Sequence, residues 1–268
     1  MVTLNEDEHM KRIILTTCGT SLFQTSCWKY KGLNAKYPSQ MENKHDRDAY
    51  EKKCETQLEL ARDGEKDIAP YFDRTPWDNL DYLRDLPAEL AALRAIQVYF
   101  ENREDEEPLG KGDNVILLHS DNDDGKYCAE TIHKVLTNEE FGLLFKVKDI
   151  KLWEVPGLDP SNFKEFGNAL RNIWHECIQR FPREENTQYI FNLTGGYKGT
   201  AILLGAFAYS KGEDTRIVYI HEETDYKTLS IMGFDNTKAN EQERFYADSA
   251  DITNPSHRPL IGDPNTSL

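Results

Sequence analysis

TQYIFNLTGGYKGTAILLGAFAYSKG, residues 187–212, changes its hydrophobic period halfway along. TQYIFNL (187–193) is a short run of aromatic and branched residues of the kind that makes a buried strand, whereas TAILLGAFAYSKG (200–212) is apolar nearly all round and reads as a buried helix. Two glycines and a lysine stand at the handover. A strand that runs into a helix through a small-residue turn is half of a β-α-β unit, so this stretch predicts an α/β fold built on a parallel sheet.

Working outward, the same alternation recurs. RIILTTC (12–18), NVILLHS (114–120), KVKDIKLWEV (146–155) and TRIVYIHE (215–222) read as further strands, with KTLSIMGF (227–234) as the last. GKYCAETIHKVL (125–136) places Cys128, Ile132, Val135 and Leu136 on one helical face, and NFKEFGNALRNIWHECIQRF (162–181) repeats Phe163, Phe166, Leu170, Ile173, Trp174 and Ile178 at helical spacing. The stretch 24–112 between the first two strands is too long for one crossover helix and reads as a helical insertion. Its helix formers lie in DAYEKKCETQLELARDGEKD and WDNLDYLRDLPAELAALRAIQVYFE, and the acidic ENREDEEPLGKGD that follows reads as a solvated linker. Residues 235–268 are polar and Pro-rich and have the composition of a partly disordered tail.

Composition limits the chemistry. Lys plus Arg is 32 and Asp plus Glu is 47, a formal net charge of −15. That balance disfavours long-range attraction to nucleic acid or anionic membranes, so no long nucleic acid and no membrane is expected as a partner, and any polyanion must be held locally. The five cysteines, Cys18, Cys27, Cys54, Cys128 and Cys177, contain no C-x-x-C pair, which fits a reducing cytosol better than a disulfide framework or a zinc site. MVTLNEDEHMKR carries no apolar signal region, and no run approaches the roughly 18 apolar residues of a membrane span, so export or anchoring is not expected.

In an open parallel sheet ligands bind beyond the carboxyl ends of the strands, where turns and helix N-termini present backbone N–H groups. Three such ends stand out: CGTS (18–21), HSDNDDG (119–125) and NLTGGYKG (192–199). In the third, Gly195 and Gly196 allow close approach of backbone to a ligand, while Asn192 and Thr194 offer side-chain hydrogen bonds. Lys198 is the informative residue. A cation in the first turn of a helix opposes the macrodipole by about 0.3–1 kcal/mol, a cost better explained if an anion sits there. The motif therefore reads as a phosphate seat. The same residues also suit a plain tight turn with a solvated lysine, and Thr20, Ser21, Ser120, Asp121 and Asn122 equally suit helix N-caps. No Walker loop, no G-x-G-x-x-G and no His/Cys metal cluster is present, so neither a cofactor nor a metal is expected. Arg216 and His221 have the R-x4–6-H spacing of a ribonuclease pair but fall on opposite faces of a strand by parity.

The order of CGTS, LLHSDNDDG, VPGL with its following helix, FNLTGGYKG and YIHEE resembles the CARF family, the CRISPR-associated Rossmann-fold domains, and within it the branch of stand-alone ring nucleases. The resemblance spans about residues 11–234, and PAELAAL (87–93) is similar to that branch's helical segment ahead of the second strand. It departs at Ser120, Asp121, Asn122, where relatives read more like S-D-T. The resemblance implies a Rossmann-like, open, mainly parallel sheet with helices on both faces. It makes residues 1–234 a CARF domain carrying the insertion at 24–112. It further implies a homodimer in a prokaryotic cytoplasm that binds a cyclic oligoadenylate across its two-fold axis. Gly19, Ser120, Asn122, Asn192, Thr194, Gly195 and Gly196 are then the expected ligand contacts, with Lys198, Ser21 and, as second choice, Thr20 in the catalytic roles. The expected activity is slow, metal-independent cleavage of the ring to linear di-adenylates. A non-catalytic sensor of the same messenger, an effector nuclease with an unrecognised site and a conventional nucleotide-using enzyme are the alternatives.

Overall fold

The computed structural model describes residues 10–23, 77, 80, 83, 86–138, 147, 149–212, 215–221, 228–235 and 244–251. Among them run seven strands, β1 (Lys11–Thr17), β2 (Asn114–Ser120), β3 (Asp149–Val155), β4 (Thr187–Asn192), β5 (Thr215–Ile220), β6 (Thr228–Asp235) and β7 (Arg244–Asp251). Four helices accompany them, α1 (Ala88–Glu101), α2 (Asp123–Thr137), α3 (Phe163–Arg180) and α4 (Lys198–Lys211). The strands form one sheet in the order β3-β2-β1-β4-β5-β6-β7, parallel from β3 to β5 and antiparallel for β6 and β7. This is the expected Rossmann-like α/β architecture.

Period two decides which face each strand residue serves. Ile14, Val115, Leu117, Ile190, Val218 and Ile220 pack with α1 and α2 on one side of the sheet. Their neighbours Leu15, Leu118, Tyr189, Phe191 and Ile217 pack with Ala169, Ile173 and Cys177 of α3 and Leu204, Phe207 and Ala208 of α4 on the other. Helices therefore cover both faces. Central β4 is buried at every position, while β3, at one edge, exposes Lys151, Leu152 and Glu154.

Four sequence expectations need revision. β7 lies inside the stretch 235–268 expected to be a tail, and it pairs with β6 from Thr228↔Asp251 to Asp235↔Arg244. An edge strand needs only backbone bonds to one neighbour, so its polar sequence gave no hydrophobic signal. The linker after α1 is fastened rather than merely solvated. Arg12 and Asp113, both buried, form an ion pair at 3.4 Å, and the Arg12 guanidinium also donates to the carbonyls of Glu107 and Pro108. The expected α3 stripe is too wide, because Phe163 is 88% exposed and Ile178 is also exposed. Finally, α4 is not buried all round: Ile202 is 75% exposed, and Ala206 and Tyr209 face outward with it. α1 is instead the enclosed helix, with every residue from Ala88 to Phe100 buried except Arg94. DAYEKKCETQLELARDGEKD, the first part of the expected insertion, lies outside the described residues.

Candidate functional site

From adjacent strands β1 and β4 the chain leaves for opposite faces, to α1 and to α4. Their carboxyl ends diverge and leave a crevice, the place where open α/β sheets bind ligands. A cleft of about 230 Å³ opens there. It is lined by Cys18, Gly19, Thr20 and Ser21 after β1, by Ala88 at the head of α1, by Ser120 and Gly125 around the end of β2, and by Thr194 to Tyr197 after β4.

The two central loops touch through their backbones. A Cβ on Gly195 would lie 2.6 Å from Glu89 Oε1 and 2.8 Å from the Thr17 carbonyl oxygen. Gly196, at φ +80°, would bring one within 2.9 Å of Thr17 Cβ. Packing therefore requires glycine at both positions, and at Gly196 the backbone conformation requires it as well. The Thr17 hydroxyl closes the contact by donating to the Gly195 carbonyl at 2.5 Å.

Several expected ligand contacts are engaged in holding this frame. Asn192 is fully buried and outside the cleft lining, and its Oδ1 accepts from the amide and the hydroxyl of Thr194 at 3.2 and 2.8 Å. Thr194 Oγ1 in turn accepts the Ile220 amide at 3.1 Å, which ties the β4 turn to β5. Asn122 is the N-cap of α2: its Oδ1 accepts from Gly125 N at 2.8 Å and from Ser120 Oγ at 2.9 Å. Asp121 Oδ1 accepts the Gly157 amide at 3.0 Å and pins the loop after β3. For Asn122 the capping role is what the geometry shows. His119 is buried, with Nδ1 at 2.8 Å from the Ser120 carbonyl, and does not line the cleft.

Thr20 is exposed on the cleft wall, and Ser21 is half-buried beside it at the start of a single 3₁₀ turn, Ser21–Phe23. Lys198 is the first residue of α4, exposed next to the cleft-lining Tyr197, and makes no ion pair among the described residues. Tyr197 is held by Phe166 of α3, the two rings edge to face with centroids 6.0 Å apart, so α3 fixes where α4 begins. Arg216 and His221 are engaged separately, Arg216 with Glu106 at 2.9 Å and His221 with Ser230 at 2.8 Å.

Sequence reasoning missed Glu89. Its side chain is fully buried, accepts the Gly19 amide at 2.8 Å and takes a short hydrogen bond from the Ser21 hydroxyl. In the sequence it is one more acidic residue in a first helical turn, a position explained by the macrodipole alone. Only the fold brings it under the β1 loop. Burial above all, then the Glu89 and Cys128 side chains, pushes the Cys18 thiol well above the usual range. Cys18 therefore stays protonated at neutral pH. Alkylation at pH 8 followed by peptide mass analysis is expected to leave Cys18 unmodified in the native protein and to label it in urea; native labelling at the rate of a free thiol would show a thiolate in the cleft.

The profile of the family described as CRISPR-associated protein (Cas_APE2256) matches residues 84–228, more than half of the chain. The chain belongs to this CRISPR-associated family. Within the Cas_APE2256 match lie α1 with Glu89, the Ser120–Gly125 corner and the Thr194–Lys198 turn, whereas the Cys18–Ser21 wall precedes it. No curated protein matches the chain. Among the described residues no helix is long and apolar enough to cross a membrane, and no group of three or more His, Cys, Asp or Glu side chains is placed to hold a metal ion.

Proposed function

We propose that this protein binds a cyclic oligoadenylate, cyclic tetra-adenylate foremost, in a cleft completed by a second copy of the chain. It would cleave the ring slowly to linear di-adenylates and so switch off type III CRISPR signalling. The observation that carries this reading is the cleft at the β1/β4 divergence. There the Gly195–Gly196 turn and the start of α4 stand opposite the Thr20 and Ser21 wall. A helix N-terminus suits a phosphate, and hydroxyls across from it suit a ribose.

Size and surface support the dimer. About 230 Å³ falls below the roughly 300–1,000 Å³ of pockets that enclose drug-sized ligands, so one subunit covers only part of a ring of four nucleotides. A two-fold axis doubles the cleft and matches the symmetry of the ring. Lys198, Ile202 and Ala206 follow one another at helical spacing along the exposed row of α4. A partner seated on that row would cover Ile202 and bring Lys198 to the shared site. Sedimentation is expected to find a dimer at micromolar concentration, and Ile202→Glu to shift it toward monomer. A monomeric wild type that binds the ring one-to-one would exclude the shared pocket.

The ribose supplies its own nucleophile. The protein has to align a 2′-hydroxyl with the leaving 5′-oxygen and stabilise the phosphorane-like transition state. Incubation with labelled cyclic tetra-adenylate in EDTA is expected to give linear di-adenylates that first carry a 2′,3′-cyclic phosphate. A 2′-deoxy ring should remain intact. Binding without turnover would make the protein a sensor, and absence of binding would remove the reading altogether.

A further inference from the structure

We propose that Glu89 acts through Ser21 as the proton acceptor of the reaction, the pair drawing the proton from the attacking ribose 2′-hydroxyl; this rests on the ring-cleaving reading above. Ser21 Oγ donates its proton to Glu89 Oε2 and accepts the Ala88 amide at 3.2 Å. With that proton committed, Ser21 can accept from a group in the cleft but cannot donate to one. A phosphate oxygen needs a donor. A ribose hydroxyl is itself a donor, so the geometry assigns Ser21 to the ribose.

Glu89 is built in for this contact. Its carboxylate lies in the first turn of α1, where the helix dipole favours the anion, and its other oxygen is fixed by the Gly19 amide. Gly195 lacks a side chain where one would meet Oε1 at 2.6 Å, so the β4 turn leaves room for the carboxylate. Among the described residues, Cys18 at the end of β1 feels the charge of Glu89 and, beyond it, the Cys128 side chain on α2. Cys18 is a protonated thiol and His119 is outside the cleft, so neither competes for the role.

The step balances. The 2′-O–H bond breaks as the 2′-O–P bond forms; that proton passes to Ser21 Oγ and the serine proton to Glu89. The P–O5′ bond then breaks, the leaving 5′-oxygen takes a proton from water, and Glu89 returns its own to solvent through Ser21. Glu89 becomes neutral in the same step in which the phosphate gains charge. Repulsion between the two is therefore relieved in the transition state rather than in the bound ground state.

Glu89→Gln keeps the size and the acceptor for Gly19. Its affinity for labelled cyclic tetra-adenylate is expected to stay within about threefold of wild type, while the single-turnover rate falls about 100-fold. The wild-type rate should rise with pH and level off once Glu89 ionises, whereas the variant's should keep rising with hydroxide. Ser21→Ala should lose the same limb of the profile, and the double variant should be no slower than Ser21→Ala alone, since members of a relay act as a unit. The Ser21→Ala profile decides the matter even if Glu89→Gln fails to fold: an unchanged ionisation limb overturns the relay. Turnover by wild type that Glu89→Gln leaves untouched overturns the relay and leaves the ring-cleaving reading standing. No turnover by wild type overturns both, and that result needs no variant.

Discussion

Lys198→Ala is expected to weaken binding of cyclic tetra-adenylate about 10- to 100-fold, the range for losing one hydrogen bond to a charged group. Cleavage should fall further, by about another 10²–10³, because the lysine would face a phosphate whose charge grows as the 2′-oxygen attacks. Folding should not suffer. Lys198 is exposed, makes no ion pair among the described residues, and stands at the positive end of α4, where removing a cation gains rather than loses stability. The measurement is a pair of titrations: binding by fluorescence anisotropy and cleavage in single turnover, with thermal melting as control. Because the chain carries a net charge of −15, distant lysines cannot substitute for a local one. Wild-type binding and cleavage by Lys198→Ala would mean a solvated lysine at a helix start, with any phosphate held elsewhere.

How far the chain could be read in advance depends on the range of each interaction. The strands of the parallel core were legible because period two and branched residues are local signals, but the order in which they pair, and with it the divergence of β1 and β4, rests on long-range contacts that no local pattern encodes. Helix faces were less legible. Ile202 and Phe163 fit an apolar stripe, yet the structure leaves them outside, since hydropathy alone cannot say how much of a stripe the sheet has room to cover. At the site, the glycines of NLTGGYKG were identifiable as a close approach, but the object approached was not. Glu89 lies more than a hundred residues from Gly195 in the chain and meets it only because α1 and β4 share the end of β1. Asn122 illustrates the reverse case, where the cap that the local sequence also allowed is formed, through Oδ1, at a residue for which the family resemblance implies a ligand contact.

The most damaging stability change should come from the opposite end of the sheet. Arg12 is the second residue of β1 and Asp113 immediately precedes β2, and each is almost wholly enclosed. Asp113 accepts the backbone amides of Arg12 and Gly110, both at 2.8 Å, besides its ion pair with the guanidinium. The guanidinium also lies over the Phe100 ring at 4.3 Å and holds the carbonyls of Glu107 and Pro108, so one side chain joins the first strand, the end of α1 and the linker. Arg12→Met would leave a buried carboxylate without its cation and two carbonyls without their donor. The expected loss is about 3–5 kcal/mol, the range for removing one partner of a buried pair. For a chain of this size that corresponds to roughly 10 °C in Tm. Removing the stranded charge as well, in Arg12→Met with Asp113→Asn, should recover part of the loss. Urea unfolding measures both variants. Because the pair sits at the amino ends of β1 and β2 while the cleft lies at their carboxyl ends, the folded fraction of Arg12→Met should bind cyclic tetra-adenylate like wild type. A loss below about 1 kcal/mol would place this pair with the surface ion pairs that contribute little, in spite of its burial.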